Sequence, residues 1–576
     1  MKKSEHAGYA AREKHPRAHF LRSFFLRPFF PWALVLPLSS VVEERRRFNL
    51  LRGCFFSLFL IMVFSIGNLH AAPVASALFQ KHCSQCHGKD RLGLIGPALL
   101  PQNLKRVRKK AAKNTIIKGL EATQMPPFGE ILTEGQIDAL VRLIYTPLPY
   151  IPKWDEGDIA KSRILTPARV ETTKPLWKAD PMNVFVVVET GDHSISILDG
   201  DSFERMHRFK SRWALHGGPK FTSDGRYVYF GSRDGWITKF DLYTLSVVAE
   251  VRAGINMRNI AVSSDNKVVI AANYLPHTLV LLKADDLSLI KTIAVQDKSG
   301  TSRVSAVYNA PPRNSFIAAL KDIKEVWEIP YNAQSTWKGW QHDYREESGD
   351  TPSGSGESKN HFPIRRIKLN DYLDDFFFNQ SYDVLMGSSR GTKTAKGKKS
   401  RKGQVIDMTV GKKIAELDLP GLPHLGSGIT FEHKGRRVMA TPNLRGGDIS
   451  VIDLKSWKLI RKIKTMGPGF FMRSHENTPF AWAGVFFGPH KDKMHIIDKR
   501  TLEIVKTLQP VKGKTFAHVE FTKNGSHALV SLWEKEGALM VYDARTFELV
   551  KRIPMSKPSG KYNVHNKIRL SEGTSH

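Results

Sequence analysis

The 576-residue chain has only three cysteines, and acidic residues are scarce: 55 Asp and Glu face 87 Lys and Arg, a formal charge of +32. So few thiols exclude a disulfide framework. Apolar runs are short as well. The run Phe55 to Ile66 is too brief to span a bilayer. It follows Arg45, Arg46 and Arg47 and precedes Leu69-His70-Ala71, the order of a basic n-region, an apolar h-region and a cleavage site. Residues 1–71 therefore read as a leader removed on export to the periplasm, with an uncleaved anchor as the alternative. No role is assigned to the stretch before residue 45. The leader holds eleven Lys/Arg against four Asp/Glu, and subtracting its +7 leaves +25 on the mature chain. That balance favours acidic redox partners or anionic membrane surfaces, and export argues against nucleic acid.

With the leader gone, the remaining thiols are Cys83 and Cys86, in Cys83-Ser84-Gln85-Cys86-His87. C-x-x-C-H is the attachment signature of a c-type haem: two thiols add to the two vinyl groups of one porphyrin, and His87 reaches the iron. A zinc site would need a second Cys/His pair, and the other cysteine is Cys54, within the leader. The surrounding 72–146 read as a small all-α cytochrome c domain. A short helix, Ala77 to His82, leads into the motif, and Thr133 caps a helix whose Ile137, Leu140, Val141 and Ile144 fall at helical spacing. Met125, stiffened by Pro126 and Pro127, is the candidate second iron ligand, against the alternative of a core methionine. The Pro-rich segment 147–152 opens a linker that runs to residue 180.

From 181 to 576 the period changes to two. Units recur about every 40 residues and close on echoes such as FDLYTLSVVAEV, VIDLKSWKLIRKI and VYDARTFELVKRI. Eight units, beginning near 185, 218, 257, 302, 364, 428, 469 and 516, predict an all-β eight-bladed propeller. The first lacks a leading strand, and residues 561–567 are placed to close the ring there. Residues 341–360, rich in Gly and Ser, and 391–403, with six Lys/Arg, read as solvated loops interrupting the repeat.

In a propeller the first strand of each blade lines the central channel, so residues entering those strands gather at one mouth. They are His216, Arg258, Asp374, His424, Arg473 and His518. Singly, each is a turn or strand-end residue. Together they predict a pocket for an anionic, metal-bearing ligand, with His for iron, Arg for carboxylates, and Asp or His for proton transfer.

A c-type domain joined to such a propeller resembles the cytochrome cd1 family. The stretches that carry the resemblance are ALHGGPKFTSDGRYVYFGSRDGWITKFDL with His216, GINMRNIAV with Arg258, ANYLPH with Tyr274, and PSGKYNVHNK. It covers nearly the whole mature chain. It implies His216 as proximal ligand of a non-covalent haem d1, with Arg233 and Arg258 near its carboxylates and Tyr274 and Arg473 among the binding residues. The family's nitrite reductases place two distal histidines over the iron. Here those positions are Lys321 and Asp374. LDDFFF and PHLGSG instead look like the family's haem d1 biosynthesis branches, NirF and NirN, of which the second carries a cytochrome c domain. The resemblance thus implies oxidation of dihydro-haem d1 to haem d1, a propionate becoming an acrylate, with electrons leaving through the covalent haem c. His424 is the expected base, with Asp374 and His518 as lesser candidates. The implied partners are the tetrapyrrole substrate, a periplasmic electron acceptor and a cytochrome cd1 nitrite reductase receiving haem d1. A nitrite reductase with an altered distal pocket and a non-catalytic haem d1 carrier remain the alternatives.

Overall fold

The computed structural model describes residues 71–569, except 95, 106, 121–124, 167–170, 333–361, 390–391, 394–398, 401–402, 418, 420–424 and 445. The leader, apart from Ala71, and both His424 and the 341–360 loop lie outside the described residues.

The first helix runs over Ala71–His82, starting earlier than the sequence pattern indicates, because Ala75 joins Phe79 in burial on one face. Glu134–Ile144 begins at a capping box: the Gln136 N–H donates to Thr133 Oγ1, and Thr133 N–H donates back to Gln136 Oε1 at 2.9 Å. Its Ile137, Leu140 and Ile144 meet Phe79, Phe128 and Leu132 in one cluster. Each such side chain contributes about 1.5–3 kcal/mol by leaving water.

Among the described residues, eight antiparallel sheets of four or five strands follow, one per blade, with two two-stranded ribbons besides. Their innermost strands are Lys220–Phe221, Asn256–Val262, Val304–Ala310, Leu373–Phe378, Ile429–His433, Gly469–Ser474, Phe516–Phe521 and Pro558–Asn563; we number the blades 1 to 8 in that order. Inner and middle strands are packed between neighbouring blades and are apolar on both faces, as in Ser315–Leu320, whereas outer strands such as Leu459–Lys464 are mostly exposed. Blade 8 pairs the last strand of the chain, Pro558–Asn563, with Val184–Glu189, so its other three strands come from the start of the propeller. The closing strand therefore starts three residues before the expected 561–567 and shares Lys561, Tyr562 and Asn563 with it, while Val564–Ile568 is a short helix.

One expected blade start is wrong. Arg365–Lys368 is the outermost strand of blade 3, paired with Glu325–Pro330, and blade 4 begins at Leu373. The 333–361 segment falls between the third and fourth strands of blade 3, so the repeat resumes at a blade's outer edge. The 147–180 linker is also more structured than a spacer. It contains the helix Glu156–Ser162 and a strand, Ile164–Leu165, added to the outer edge of blade 1. Ala71–His576 forms one compact unit. Among the described residues no helix is long and apolar enough to cross a membrane.

Candidate functional site

Three neighbourhoods carry the chemistry: the Cys83–His87 turn, the channel mouth, and the seam between the helical part and blade 1. At the first, Cys83 and Cys86 are free thiols one turn apart, directly preceding His87. His87 Nδ1 lies 2.8 Å from the Pro97 carbonyl, which only accepts, so Nδ1 carries the proton and Nε2 keeps its lone pair for a metal. Gly96 makes this approach possible, because a Cβ there would sit 2.9 Å from the His87 ring. Burial pushes the Cys83 thiol up to about 11, with Cys86 adding to it, so it is protonated at neutral pH. Met125 packs on the same apolar cluster as Cys83. These residues fit a covalent haem held by two thioethers and His87.

At the mouth, the His216 turn uses Gly217 and Gly218 at positive φ (86° and 68°). A Cβ on Gly217 would meet Asn259 at 2.7 Å, and one on Gly218 would meet the Tyr562 ring at 3.1 Å. His216 Nδ1 donates to the Arg258 carbonyl at 2.8 Å, leaving Nε2 as acceptor. Arg233 Nη2 at 2.9 Å and Arg258 Nη1 at 3.0 Å both point at that nitrogen. Two guanidiniums beside one imidazole lone pair suit a ligand that brings both a metal and carboxylates.

Next to this group, Arg233, Arg303 and Lys321 surround the Tyr274 ring at 5.8, 5.7 and 5.8 Å from its centroid. Lys321 Nζ is 2.8 Å from Asp374 Oδ1. Lys321 and Asp374, which the sequence resemblance sets against the family's distal histidines, are therefore an ion pair with each other. Asp375, the neighbour of Asp374, accepts from the Gly426 N–H at 3.0 Å and so holds the Leu425–Ser427 turn that directly follows His424.

Arg473 and His518 stand with groups from the closing strand. Arg473 is 3.8 Å from Glu520, an ion pair too long for a hydrogen bond. His518 lies edge-on to Phe471 and Tyr562, and Lys561 donates to its carbonyl. Burial, then Lys561, Arg473 and Lys567, hold the His518 imidazole well below its ordinary range, so it is neutral at neutral pH. Lys220, over the Tyr308 ring at 5.5 Å, is pushed down to about 8 by burial and by Arg473. Five of the six expected mouth residues are thus placed in two adjoining groups joined through Gly218 and Tyr562. Sequence reading missed Lys220, Tyr308, Asp375, Glu520 and Tyr562. Their signal was position, since each falls in or beside an innermost strand.

At the seam, Arg252 donates to the carbonyls of Asp234 (2.9 Å), Leu92 (2.5 Å) and Gly93 (3.2 Å), and stacks on Trp154 at 4.6 Å. Asn103 Nδ2 donates to the Ile255 carbonyl at 3.1 Å. Ala98 and Leu100 pack with Ile255 and Leu275.

Comparison with known proteins agrees with this layout. A dihydro-heme d1 dehydrogenase of Pseudomonas aeruginosa is 50% identical over 504 residues, covering 87% of this chain and 95% of the relative. A nitrite reductase of Stutzerimonas stutzeri is 25% identical over 85% of this chain and 92% of its own length. Protein NirF of Pseudomonas aeruginosa is 26% identical over 66% of this chain and 91% of its own length. A solved structure of dihydro-heme d1 dehydrogenase NirN in complex with DHE superposes with a TM-score of 0.78 at 50% identity, covering 86% of this chain and all of that one. Residues 71–144, which include the Cys83–His87 turn, match the family described as cytochrome C oxidase, cbb3-type, subunit III, a cytochrome c domain that implies haem c. The propeller, over residues 179–352 and 355–567, matches the cytochrome D1 heme domain, and with His216 and its two arginines at the mouth the chain belongs to that family.

Proposed function

We propose that this protein oxidises dihydro-haem d1 to haem d1. One propionate side chain loses two hydrogens to become an acrylate, releasing two protons and two electrons. The observation that carries the reading is the Lys321–Asp374 ion pair, 2.8 Å long, where nitrite reductases of the family hold histidines. A carboxylate committed to an ammonium is a poor proton donor to bound nitrite. A cytochrome c domain on the same chain fits a reaction that must export electrons, and bound haem c supplies the one-electron redox chemistry.

In this reading His216 Nε2 ligates the substrate iron, and Arg233 and Arg258, now on that nitrogen, turn to the substrate's carboxylates. Tyr274 with its ring of cations, and Arg473, complete the walls. His424 takes the proton from the propionate carbon; the turn that follows it in sequence is fixed by Asp375. Asp374 and His518 are the lesser candidates, the first occupied by Lys321 and the second weakly basic in its buried site. His87 and Met125 would hold the iron of haem c. Export to the periplasm with loss of the leader, a periplasmic electron acceptor, handover to cytochrome cd1 nitrite reductase and a role in denitrification belong to the same proposal.

Visible spectroscopy of the haem-c-bearing protein mixed with dihydro-haem d1 tests it. Conversion to the haem d1 spectrum with reduction of haem c is expected. His424→Ala keeps precursor binding and abolishes conversion. Binding without conversion by the wild type would leave a carrier, and nitrite turnover by the haem d1-loaded protein would make it a reductase.

A further inference from the structure

Residues 105–118, in the helical part, hold seven Lys/Arg and no Asp or Glu. Lys105, Arg108, Lys109 and Lys110 are all exposed, and Val107 among them is 40% exposed. Among the described residues, none of these four cations has a carboxylate within ion-pair distance, whereas Lys113, one turn further on, is held by Glu134 and Asp138 at 2.7 and 2.8 Å. The run is anchored at both ends. Leu104 before it and Ala112 after it are buried in the cluster on which Cys83 and Met125 pack. Between them Tyr145 Oη donates to the Val107 carbonyl at 2.6 Å, and Lys109 Nζ lies 5.7 Å from the centroid of the same ring. The cations therefore project from a fixed platform on the core that holds a haem cysteine.

This placement works against the local fold. The helix Lys109–Lys118 has Arg108 as its N-cap, without a side-chain cap, and Lys109 and Lys110 but no acid in its first turn. Cations at that end oppose the helix dipole, and like charges so close together repel one another. No carboxylate among the described residues offsets this, so the cost points to one supplied from outside the chain.

We propose that Lys105, Arg108, Lys109 and Lys110 form the docking surface for the electron acceptor of haem c, a small one-electron carrier protein with an acidic face. The inference rests on haem c being the electron outlet. Opposite charge speeds encounter and sets orientation, and Val107 supplies an apolar centre inside a charged rim. On docking, one electron passes from ferrous haem c to the oxidised carrier, leaving ferric haem c and a carrier reduced by one electron. Two such visits clear the two electrons of one dihydro-haem d1. A bilayer fits this surface less well. Ala112, Ile116 and Ile117 pack on the internal cluster, which leaves the helix no apolar face to enter lipid.

The test is stopped-flow oxidation of haem c in the full-length holoprotein, pre-reduced with ascorbate and then freed of it. The oxidants are plastocyanin, an acidic blue-copper protein, and tris(phenanthroline)cobalt(III), a cation. Reduction by ascorbate keeps the outcome independent of whether dihydro-haem d1 is oxidised, which the spectroscopic conversion above decides separately. The variant is Lys105→Glu/Arg108→Glu/Lys109→Glu/Lys110→Glu, whose glutamates suit a helix N-terminus. At low salt its rate constant with plastocyanin is expected to fall at least about tenfold, while that with the cobalt complex holds or rises. The wild-type plastocyanin rate should itself fall steeply as salt is added, and the variant's should not. A variant within about twofold of the wild type with plastocyanin overturns the proposal. Equal losses with both oxidants overturn it too, since they would place the effect on haem c itself. Should the quadruple variant not fold, Lys105→Gln/Arg108→Gln, outside the helix, is read in the same way, with about a threefold loss expected. Loss of sedimentation with phosphatidylglycerol vesicles in a variant whose plastocyanin rate is unchanged would assign the patch to a membrane instead.

Discussion

Replacing Arg252 by alanine should uncouple the helical part from blade 1. The guanidinium supplies three donors to three carbonyls and stacks on Trp154. The Asp234 residue lies buried, so its carbonyl would lose a donor with little water to replace it, at about 1–3 kcal/mol. Leu92 and Gly93 are only partly buried, and water can reach their carbonyls once the side chain is gone. They add about 0.5–1 kcal/mol each, and the lost stacking adds about 1. Against this, burial already holds Arg252 down at about 10, so removing the cation recovers part of its desolvation cost. The net expectation is a loss of about 2–4 kcal/mol. Urea unfolding followed by haem c Soret absorbance and by tryptophan fluorescence measures it. The Soret transition should move to lower urea, ahead of the fluorescence transition. Arg252→Lys, a point donor without the planar fork, should fall between. A Soret midpoint for Arg252→Ala within error of the wild type would refute the view that this side chain fastens the haem loop to the propeller.

Two further predictions concern the mouth. Lys220, pushed down to about 8, is cationic below that pH and neutral above it, so affinity for a carboxylate-rich tetrapyrrole should decline as pH rises through about 8. Lys220→Met should bind roughly three- to tenfold more weakly at pH 7 and lose that decline, as read by visible titration. Because the folded state binds fewer protons than the unfolded between about 8 and 10.5, Lys220 also makes stability rise with pH across that window, and the variant should lack this rise in thermal melts. Gly218→Ala places a Cβ 3.1 Å from the Tyr562 ring at a φ of 68° and should cost about 1–2 kcal/mol. It should also weaken tetrapyrrole binding by shifting His216; unchanged affinity would show that the turn is not part of the site.

Much of this molecule is legible from residue pattern because the pattern is local. Cys83 to His87 is a five-residue signature, and Thr133 with Gln136 is a complete cap. The blade repeats alternate with period two wherever one face of a strand is solvated. The reading failed where an insertion shifted the phase: Arg365–Lys368 has the alternating burial of an outer strand, which from sequence alone looks like the opening of a new blade. Asp234 and Arg252 were invisible for another reason. They lie in an ordinary propeller hairpin and strand, and their meaning comes from a loop 159 residues before Arg252 that folding sets beside them. Glu520 was passed over because charged residues on strands usually face water, and Lys561 was read only as part of the ring-closing segment; both are buried.

The last strand, Pro558–Asn563, pairs with a strand more than 360 residues before it and also brings Tyr562 against Gly218, two residues from His216. Ring closure and completion of the tetrapyrrole pocket are therefore the same event in the life of the chain. Until that strand docks, the arc has an uncovered edge at Val184–Glu189 and an incomplete mouth. A product terminated before Pro558 would have the whole CxxCH segment and a stretch ready for haem attachment, yet no pocket to draw electrons from.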